Sequence, residues 1–279
     1  RDTSVTGVQT CALPICTSLA NGRHPVKMNE PLPEGNVPDE VVYLILGTLQ
    51  FSEELLRTYA HPDLLKVAEA INGEDFVPFT EALFIKEPGI GASVAWHRDG
   101  TTHWDSPDFD EGTHGFNFMA QLYGCTSANG VWVVPGSHKE RYVDIADMVT
   151  RAGSERIEEA IPMICNPGDV VISNRQAVHG SFANTSSDWR ITINQGFHRR
   201  KSVLGVKGGG LHGKPAVYDA ERIIERSKII KLAIEARKQR FPDEQAFEYK
   251  PLSASTEDFT WNAAARKSLH DYNLLDLSI

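Results

Sequence analysis

The chain has 279 residues, of which 41% are hydrophobic and 23% charged, a balance typical of a globular protein with a full core. It carries 28 basic and 37 acidic residues, and the formal net charge of −9 argues against a general nucleic-acid-binding protein. No apolar run approaches the roughly 20 residues that span a bilayer, which argues against an integral membrane protein. Four cysteines in a chain of this length argue against a disulfide framework and favour a reducing, cytoplasmic compartment.

The N-terminal segment has the pattern of neither a secretory signal nor a folded domain. Residues 5–15 are similar to the translated sequence of a common sequencing adaptor. We therefore expect residues 1–27 to be artefactual or disordered, with Met28 as a candidate start and a natural flexible extension as the alternative. Residues 28–279 are then expected to form a single domain.

Helices are predicted at the start of this domain. Residues 37–72 have a helical pattern, with Leu49 on an apolar face and Ser52 as a candidate cap. A further helix is predicted to begin at Pro62, a favoured first-turn residue, and to stop at Gly73.

Short apolar runs separated by turn residues follow, which is the pattern of β-strands. The predicted strands are 82–86, 93–99, 115–123, 130–134, 160–165, 169–173, 179–182 and 190–198. Eight short strands favour a barrel or a two-sheet jelly roll, with a β core at about residues 79–200. Residues 219–240 predict one amphipathic helix packed on that core.

A metal-binding pattern lies in the second predicted strand. Because side chains alternate along a strand, His97 and Asp99 point to the same face. His179 supplies a third group, and two imidazoles and one carboxylate on one side of a metal leave the other side open, as in non-haem Fe(II) sites. Arg190, eleven residues after His179, is suited to bind a carboxylate such as that of 2-oxoglutarate.

The motifs around these residues resemble those of the phytanoyl-CoA dioxygenase family of Fe(II)- and 2-oxoglutarate-dependent oxygenases. The resemblance covers roughly residues 37–250 and is sharpest between residues 96 and 190. Its motifs are Trp96-His97-x-Asp99, Asn129-Gly130, Pro135-Gly136-Ser137-His138, Pro167-Gly168-Asp169, His179-x-Ser181-x-x-Asn184 and Arg190. It implies a mainly β fold with flanking helices, the cupin-like double-stranded β-helix or jelly roll.

The resemblance also implies roles for single residues. The implied iron ligands are His97, Asp99 and His179. Arg190 and Ser181 would bind the distal carboxylate of 2-oxoglutarate, with Thr192 as a further candidate for that pocket. The implied reaction is hydroxylation of an unactivated C–H bond of a small molecule by O₂, with release of succinate and CO₂. Relatives that halogenate lack the ligand carboxylate, so Asp99 favours hydroxylation.

Other polar residues are candidates for contacts around the site. His103 and Trp104 follow the metal strand in a loop and are candidates for substrate contact, the alternative being a packed aromatic with an exposed histidine. Lys86 is a third candidate, with a surface lysine as the alternative. Asn117 and Gln121 are candidates to line the cavity, although alternation alone does not separate inward from outward positions.

Two functions of other classes stay open at this point. One is a non-catalytic jelly-roll protein that binds a metal or small ligand. The other is a zinc-dependent hydrolase, because the same two histidines and carboxylate also bind Zn²⁺. A zinc hydrolase has no need of an arginine for a dicarboxylate, so the position of Arg190 disfavours it. We expect a small-molecule substrate and neither a nucleic-acid nor a membrane partner, while the sequence pattern identifies neither the substrate nor the oligomeric state.

Overall fold

The computed structural model describes residues 16–19, 40–89, 91, 93–99, 112–209, 215–270 and 272. The strands are β1 (Cys16–Leu19), β2 (Glu40–Leu46), β3 (Val77–Lys86), β4 (Val94–His97), β5 (Gly115–Gln121), β6 (Trp132–Val133), β7 (Ile161–Pro162), β8 (Val170–Asn174), β9 (His179–Ser181), β10 (Arg190–His198), β11 (Lys207–Gly209) and β12 (Pro215–Val217). The α-helices are α1 (Glu53–Tyr59), α2 (Pro62–Asn72), α3 (Ile145–Ala152), α4 (Arg200–Val203), α5 (Ala220–Arg240) and α6 (Ala263–Ser268). Short 3₁₀ turns lie at Thr48–Gln50, Ser137–Lys139 and Lys250–Leu252.

Most of the predicted elements are confirmed. All eight strands predicted between residues 82 and 198 are present, as β3 to β10. Ser52 caps α1, because its hydroxyl oxygen accepts a hydrogen bond from the backbone N–H of Leu55. Pro62 begins α2, and α5 begins directly after Asp219, whose side chain accepts from the N–H of Arg222.

The helical prediction for residues 37–72 is wrong at its start, where the chain forms β2. This strand pairs antiparallel with β3, with Leu44 opposite Phe84 and Leu46 opposite Ala82. Its sequence is a continuous apolar run, and periodicity alone does not separate a buried helix from a buried strand in such a run. The β-branched residues of the run and the available edge of β3 decide for a strand.

Two antiparallel sheets and one hairpin contain these strands. The larger sheet has the order β1-β2-β3-β10-β5-β8, and the smaller has the order β4-β9-β6-β7. β11 and β12 form the hairpin. The central strand of the larger sheet, β10, pairs with β3 on one side and with β5 on the other. Strands far apart in sequence are therefore adjacent, as a jelly roll requires.

The outer face of the larger sheet is mostly apolar and is covered by helices. The buried apolar residues that this face contributes to the main core include Ile45, Leu83, Phe116, Phe118, Ile191, Ile193 and Phe197. Residues of α1, α2 and α5 pack in the same cluster. Burial of this face therefore fixes the orientation of β10, so the alternate side chains of β10 point to the inner face of the sheet.

The inner face of the same sheet carries buried polar side chains. In the β-register Arg190 lies opposite Lys86, and Thr192 lies opposite Gln121. All four of these side chains are buried. Because side chains alternate along β10, Arg190 and Thr192 lie on the face opposite Ile191. The interior of the jelly roll is thus lined by hydrogen-bonding groups.

A second apolar cluster covers the outside of the smaller sheet. Its buried members are Trp96, Val134, Ile157, Ala160, Val178 and Phe182. Trp96 is fixed further by a hydrogen bond of 2.7 Å from Nε1 to the carbonyl oxygen of Glu155. Since Trp96 and Val178 point outwards into this cluster, the next residue of each segment, His97 or His179, points inwards.

The long helix α5 agrees with the amphipathic pattern of residues 219–240. Its 21 residues bury Ile223, Ile230, Ala233 and Ile234 among others, and Arg226 is buried with them, while most of its other charged residues are exposed or half-buried. No helix among the described residues is both long and apolar enough to cross a membrane.

The predictions for the N-terminal segment are only partly within the described residues. Of residues 1–27, the structure describes Cys16–Leu19, which pair as β1 with β2. The artefactual or disordered nature of this segment stays a prediction, as does the single domain over residues 28–279.

A carboxyl group is buried on the helix-covered side of the larger sheet. The side chain of Glu81 in β3 is 1% exposed and accepts a hydrogen bond from the hydroxyl of Tyr272. Backbone N–H groups of Thr48 and Leu49 also hydrogen-bond to it. Burial raises the pKa of Glu81 to about 8, although the nearby positive charge of Arg226 acts in the opposite direction.

Replacing Glu81 with glutamine is expected to remove a pH dependence of folding stability. The folded-state pKa of about 8 lies above the ordinary value of 4.5. The contribution of Glu81 to the free energy of unfolding is therefore fully present below pH 4.5 and is lost as the pH rises through 8. Glutamine does not titrate, so the stability of Glu81→Gln relative to the wild type should increase across this pH range, by at most about 5 kcal/mol. Thermal unfolding between pH 5 and pH 8.5 measures the gain, with the exposed Glu158→Gln as control; a pH-independent difference in Tm would contradict the expectation.

Candidate metal centre

Two histidines face each other across the smaller sheet. His97 ends β4, His179 begins β9, and the two residues are paired in the register of these strands. Their ring centroids are 4.3 Å apart. The strand pairing alone therefore brings together two imidazoles that are far apart in sequence.

Backbone carbonyl groups fix the tautomer of both rings. Nδ1 of His97 lies 2.7 Å from the carbonyl oxygen of Ala95, and Nδ1 of His179 lies 2.9 Å from that of Ala177. A carbonyl oxygen only accepts hydrogen bonds, so in the neutral rings Nδ1 carries the hydrogen and Nε2 keeps its lone pair. Both Nε2 atoms are thus prepared as metal ligands.

Asp99 completes the cluster. Its Oδ1 lies 3.3 Å from Nε2 of His97, and its Oδ2 lies 3.9 Å from Nε2 of His179. Each of the three residues offers one ligand atom, and these atoms all lie within 4.8 Å of one another. The backbone N–H of Asp99 donates to the carbonyl oxygen of Arg175 at 3.0 Å, which anchors the carboxylate to the turn before β9.

Burial and charge shift the pKa values within the cluster. Burial lowers the pKa of His179; it also acts to lower that of His97, but the hydrogen bond and charge of Asp99 hold the pKa of His97 above its usual value. Burial acts to raise the pKa of Asp99, yet His179, His97 and Arg175 together hold it well below its usual range. Asp99 is therefore ionised at neutral pH and gives the site its negative charge.

The cluster is open on one side. The side chain of His97 is 37% exposed, against 21% for Asp99 and 15% for His179. A metal held by these three residues would therefore have coordination positions that exogenous ligands can reach. Two imidazoles and one carboxylate with open positions form the donor set of non-haem Fe(II) oxygenases, so the residues present fit this metal.

A buried cation lies on the inner face of the larger sheet. Arg190 is 2% exposed, and its Nε has no hydrogen-bond partner among the described residues. Burial lowers the pKa of Arg190 to about 10, although Cys125 and Cys165 act in the opposite direction. A buried guanidinium that lacks an acidic partner is costly, so this side chain fits an exogenous carboxylate.

The sequence between residues 41 and 192 matches the family model described as phytanoyl-CoA dioxygenase. The match covers more than half of the chain and includes every residue of the metal cluster and Arg190. The chain belongs to the phytanoyl-CoA dioxygenase family. The predicted resemblance is confirmed, and the predicted cofactors, Fe(II) and 2-oxoglutarate with O₂, are those of this family.

Curated relatives of this dioxygenase family member include two fungal enzymes. Dioxygenase lolE1 of Epichloe uncinata is 31% identical over 144 residues, which are 51% of this chain and 50% of that protein. Dioxygenase cdmD of Talaromyces verruculosus is 32% identical over 165 residues, which are 56% of this chain and 50% of that protein. The matched part of this chain thus spans about half the length of these relatives.

A solved structure supports the fold. EctD from S. alaskensis, with 2-oxoglutarate and 5-hydroxyectoine, is 18% identical to this chain and has a TM-score of 0.51. The likeness covers 79% of this chain and 73% of that chain. At this identity it concerns the fold alone, and the predicted jelly roll is confirmed.

The structure places the residues predicted for the 2-oxoglutarate pocket in the interior. Ser181 is 2% exposed and lies two residues after His179 in β9, so both point to the same face. Thr192 is fully buried, and its hydroxyl donates to Oε1 of Gln121 at 2.7 Å. Contacts of Ser181, Thr192 and Arg190 with 2-oxoglutarate stay proposals.

The three candidates for substrate contact have different outcomes. His103 and Trp104 lie outside the described residues. Lys86 is 3% exposed, and its Nζ donates to the carbonyl oxygen of Phe182. The alternative of a surface lysine is therefore wrong, because the strand alternation that buries Arg190 also buries its cross-strand neighbour.

Two residues that contact Asp99 carry no clear sequence signal. Asn117, predicted only as a cavity-lining residue, donates from Nδ2 to Oδ2 of Asp99 at 3.0 Å. Arg175, which belongs to none of the motifs, has its Nε 3.6 Å from the same oxygen. Arg175 lies in the turn before β9, where local pattern gives no indication of a partner so distant in sequence.

Proposed function

We propose that this protein is an Fe(II)- and 2-oxoglutarate-dependent dioxygenase that hydroxylates an unactivated C–H bond of a small molecule. The observation that carries the proposal is the presence, inside one jelly roll, of an open cluster of two histidines and one aspartate together with a buried arginine that has no acidic partner among the residues that the structure describes. Neither element alone selects this chemistry.

In this proposal His97, Asp99 and His179 bind the metal. Two neutral imidazoles and one carboxylate give the site a net charge of about −1, which favours a divalent cation. The hydrogen bonds from Nδ1 to backbone carbonyls hold both rings in place before the metal binds. Metal binding therefore requires little reorganisation of these side chains.

Arg190 and Ser181 bind the distal carboxylate of 2-oxoglutarate in this proposal, with Thr192 beside them. Ser181 lies two residues along β9 from His179, a separation of about 6–7 Å. This separation is comparable with the length of a five-carbon dicarboxylate that reaches the metal with its keto-acid end. Burial of Arg190 excludes water from its guanidinium and strengthens the ion pair.

The bound metal and cosubstrate supply the oxidation, in which substrate–H, O₂ and 2-oxoglutarate give substrate–OH, succinate and CO₂. The chain positions these groups and the substrate beside one another. Asp99 occupies the position that a halide would need, which favours hydroxylation. We further propose His103, Trp104 and Lys86 as substrate contacts.

An anaerobic titration with Fe(II) and 2-oxoglutarate tests the proposal. We expect a visible metal-to-ligand charge-transfer band only when both are present, and succinate formation once O₂ is admitted. Bound Fe(II) without this band would favour a non-catalytic binding protein. Hydrolytic activity with Zn²⁺ that persists without O₂ would favour a zinc hydrolase instead.

A further inference from the structure

Arg175 is held rigidly beside the metal cluster. Its backbone N–H donates to the carbonyl oxygen of Gly115 at 3.1 Å, and its own carbonyl accepts from the N–H of Asp99 at 3.0 Å. Its guanidinium carbon lies 3.5 Å from the ring centroid of Phe79, and Nη1 contacts Nε2 of His198. Arg175 is 5% exposed, so its charge acts on Asp99 without much screening by water.

The two carboxylate oxygens of Asp99 have different environments. Oδ2 accepts a hydrogen bond of 3.0 Å from Nδ2 of Asn117 and lies 3.6 Å from Nε of Arg175. Oδ1 is the oxygen nearer His97, at 3.3 Å from Nε2. Oδ2 is also the oxygen nearer His179, at 3.9 Å from Nε2. The protein thus holds the carboxylate by Oδ2 and directs one oxygen towards each histidine.

We propose that Arg175 and Asn117 are positioning residues that hold Asp99 by Oδ2 and so fix its carboxylate beside both histidines before a metal binds. This inference rests on the proposed function, because it concerns the same metal site. It gives Asn117 and Arg175 a role beyond packing. They orient Asp99, which is the proposed metal ligand, and do not bind the metal themselves.

Fixing Asp99 in advance has a consequence for metal binding. Without Asn117 and Arg175 the carboxylate would be free to rotate, and its oxygens would no longer stay beside the nitrogen atoms of His97 and His179 that would hold the metal. A carboxylate held in place loses less side-chain freedom when a metal binds, so these two residues would favour metal binding.

Co(II) binding to the purified chain tests this inference, because the d–d absorption of Co(II) reports both affinity and coordination number. We expect Asn117→Ala and Arg175→Lys to weaken Co(II) binding by about ten- to hundredfold. We also expect both variants to change the shape of the Co(II) band and to weaken 2-oxoglutarate binding to the Co(II) protein. Asn117→Ala decides the test if Arg175→Lys fails to fold, which thermal unfolding shows.

Matched controls separate these effects from general damage. Asn72→Ala removes another buried asparagine, and Arg156→Lys alters another arginine that stacks on an aromatic ring, that of Phe182. Both controls should keep the wild-type Co(II) affinity and spectrum. If Asn117→Ala and Arg175→Lys also keep them, this inference is wrong while the proposed function stands. If the wild type binds no Co(II), both this inference and the proposed function are wrong.

Discussion

Asp99→Ala is expected to abolish Fe(II)-dependent succinate formation and to leave the purified protein without stoichiometric Fe(II). The change removes one ligand atom and the negative charge of the site. It also leaves Arg175, whose Nε lies 3.6 Å from Asp99, as an uncompensated buried cation beside the two histidines. That charge repels a metal ion. The loss of Fe(II) affinity should therefore exceed the loss that removal of a neutral ligand of equal size would cause. Metal analysis after anaerobic loading measures the result.

Two further variants make the Asp99 result interpretable. Asp99→Asn keeps the shape of the side chain and removes its charge. A loss of Fe(II) in this variant therefore results from the lost charge and ligand atom, and not from a cavity left by a smaller side chain. Asp169→Asn changes a carboxylate that accepts a hydrogen bond of 2.7 Å from the N–H of Asn166 in a turn, and it should bind Fe(II) normally. Full Fe(II) occupancy and turnover in both Asp99 variants would show that this residue is not a ligand.

Arg190→Met is expected to weaken 2-oxoglutarate binding by about 2–5 kcal/mol, or roughly 30-fold to several thousandfold in Kd. The guanidinium is buried and its Nε has no hydrogen-bond partner in the described part of the chain, so a bound carboxylate would compensate its charge. Methionine has a similar length and no charge. Fe(II) binding should therefore change little while the charge-transfer titration shifts to much higher 2-oxoglutarate concentration.

The same variant gives a second, opposite readout. Removing an uncompensated buried charge should stabilise the ligand-free protein by about 1–4 kcal/mol, although it damages cosubstrate binding. Arg190→Lys keeps the charge without the planar fork and should recover part of the affinity. Wild-type affinity for 2-oxoglutarate in Arg190→Met would remove this residue from the proposed pocket, whatever its effect on Tm.

Local pattern and motif spacing were sufficient for the β core and for the metal cluster. His97 and Asp99 share a strand, so alternation alone placed them on one face. His179 and Arg190 were selected by type and spacing, and strand pairing then brought His179 opposite His97. The eight predicted strands agree with β3 to β10 because turn residues separate them clearly.

Features that depend on the tertiary environment could not be predicted in the same way. β2 has a continuous apolar run, and its pairing with β3 selects the strand. The burial of Lys86 follows from its register opposite Arg190, which no local pattern encodes. Arg175 contacts Asp99 through a turn that is remote in sequence, so its relation to the metal cluster exists only in the folded chain.

The two faces of β10 have different roles, folding stability on one side and ligand binding on the other. Ile191 and Ile193 face the helices and contribute to folding stability, whereas Arg190 and Thr192 face the interior and are positioned for ligands. A one-residue insertion or deletion within β10 would exchange the two sets, placing cationic and hydroxyl groups against the helices and isoleucines in the cavity. We therefore expect substitutions at the inward positions of β10 to alter the cavity and to leave the helix-covered face intact, whereas a change in the length of β10 would disrupt both faces.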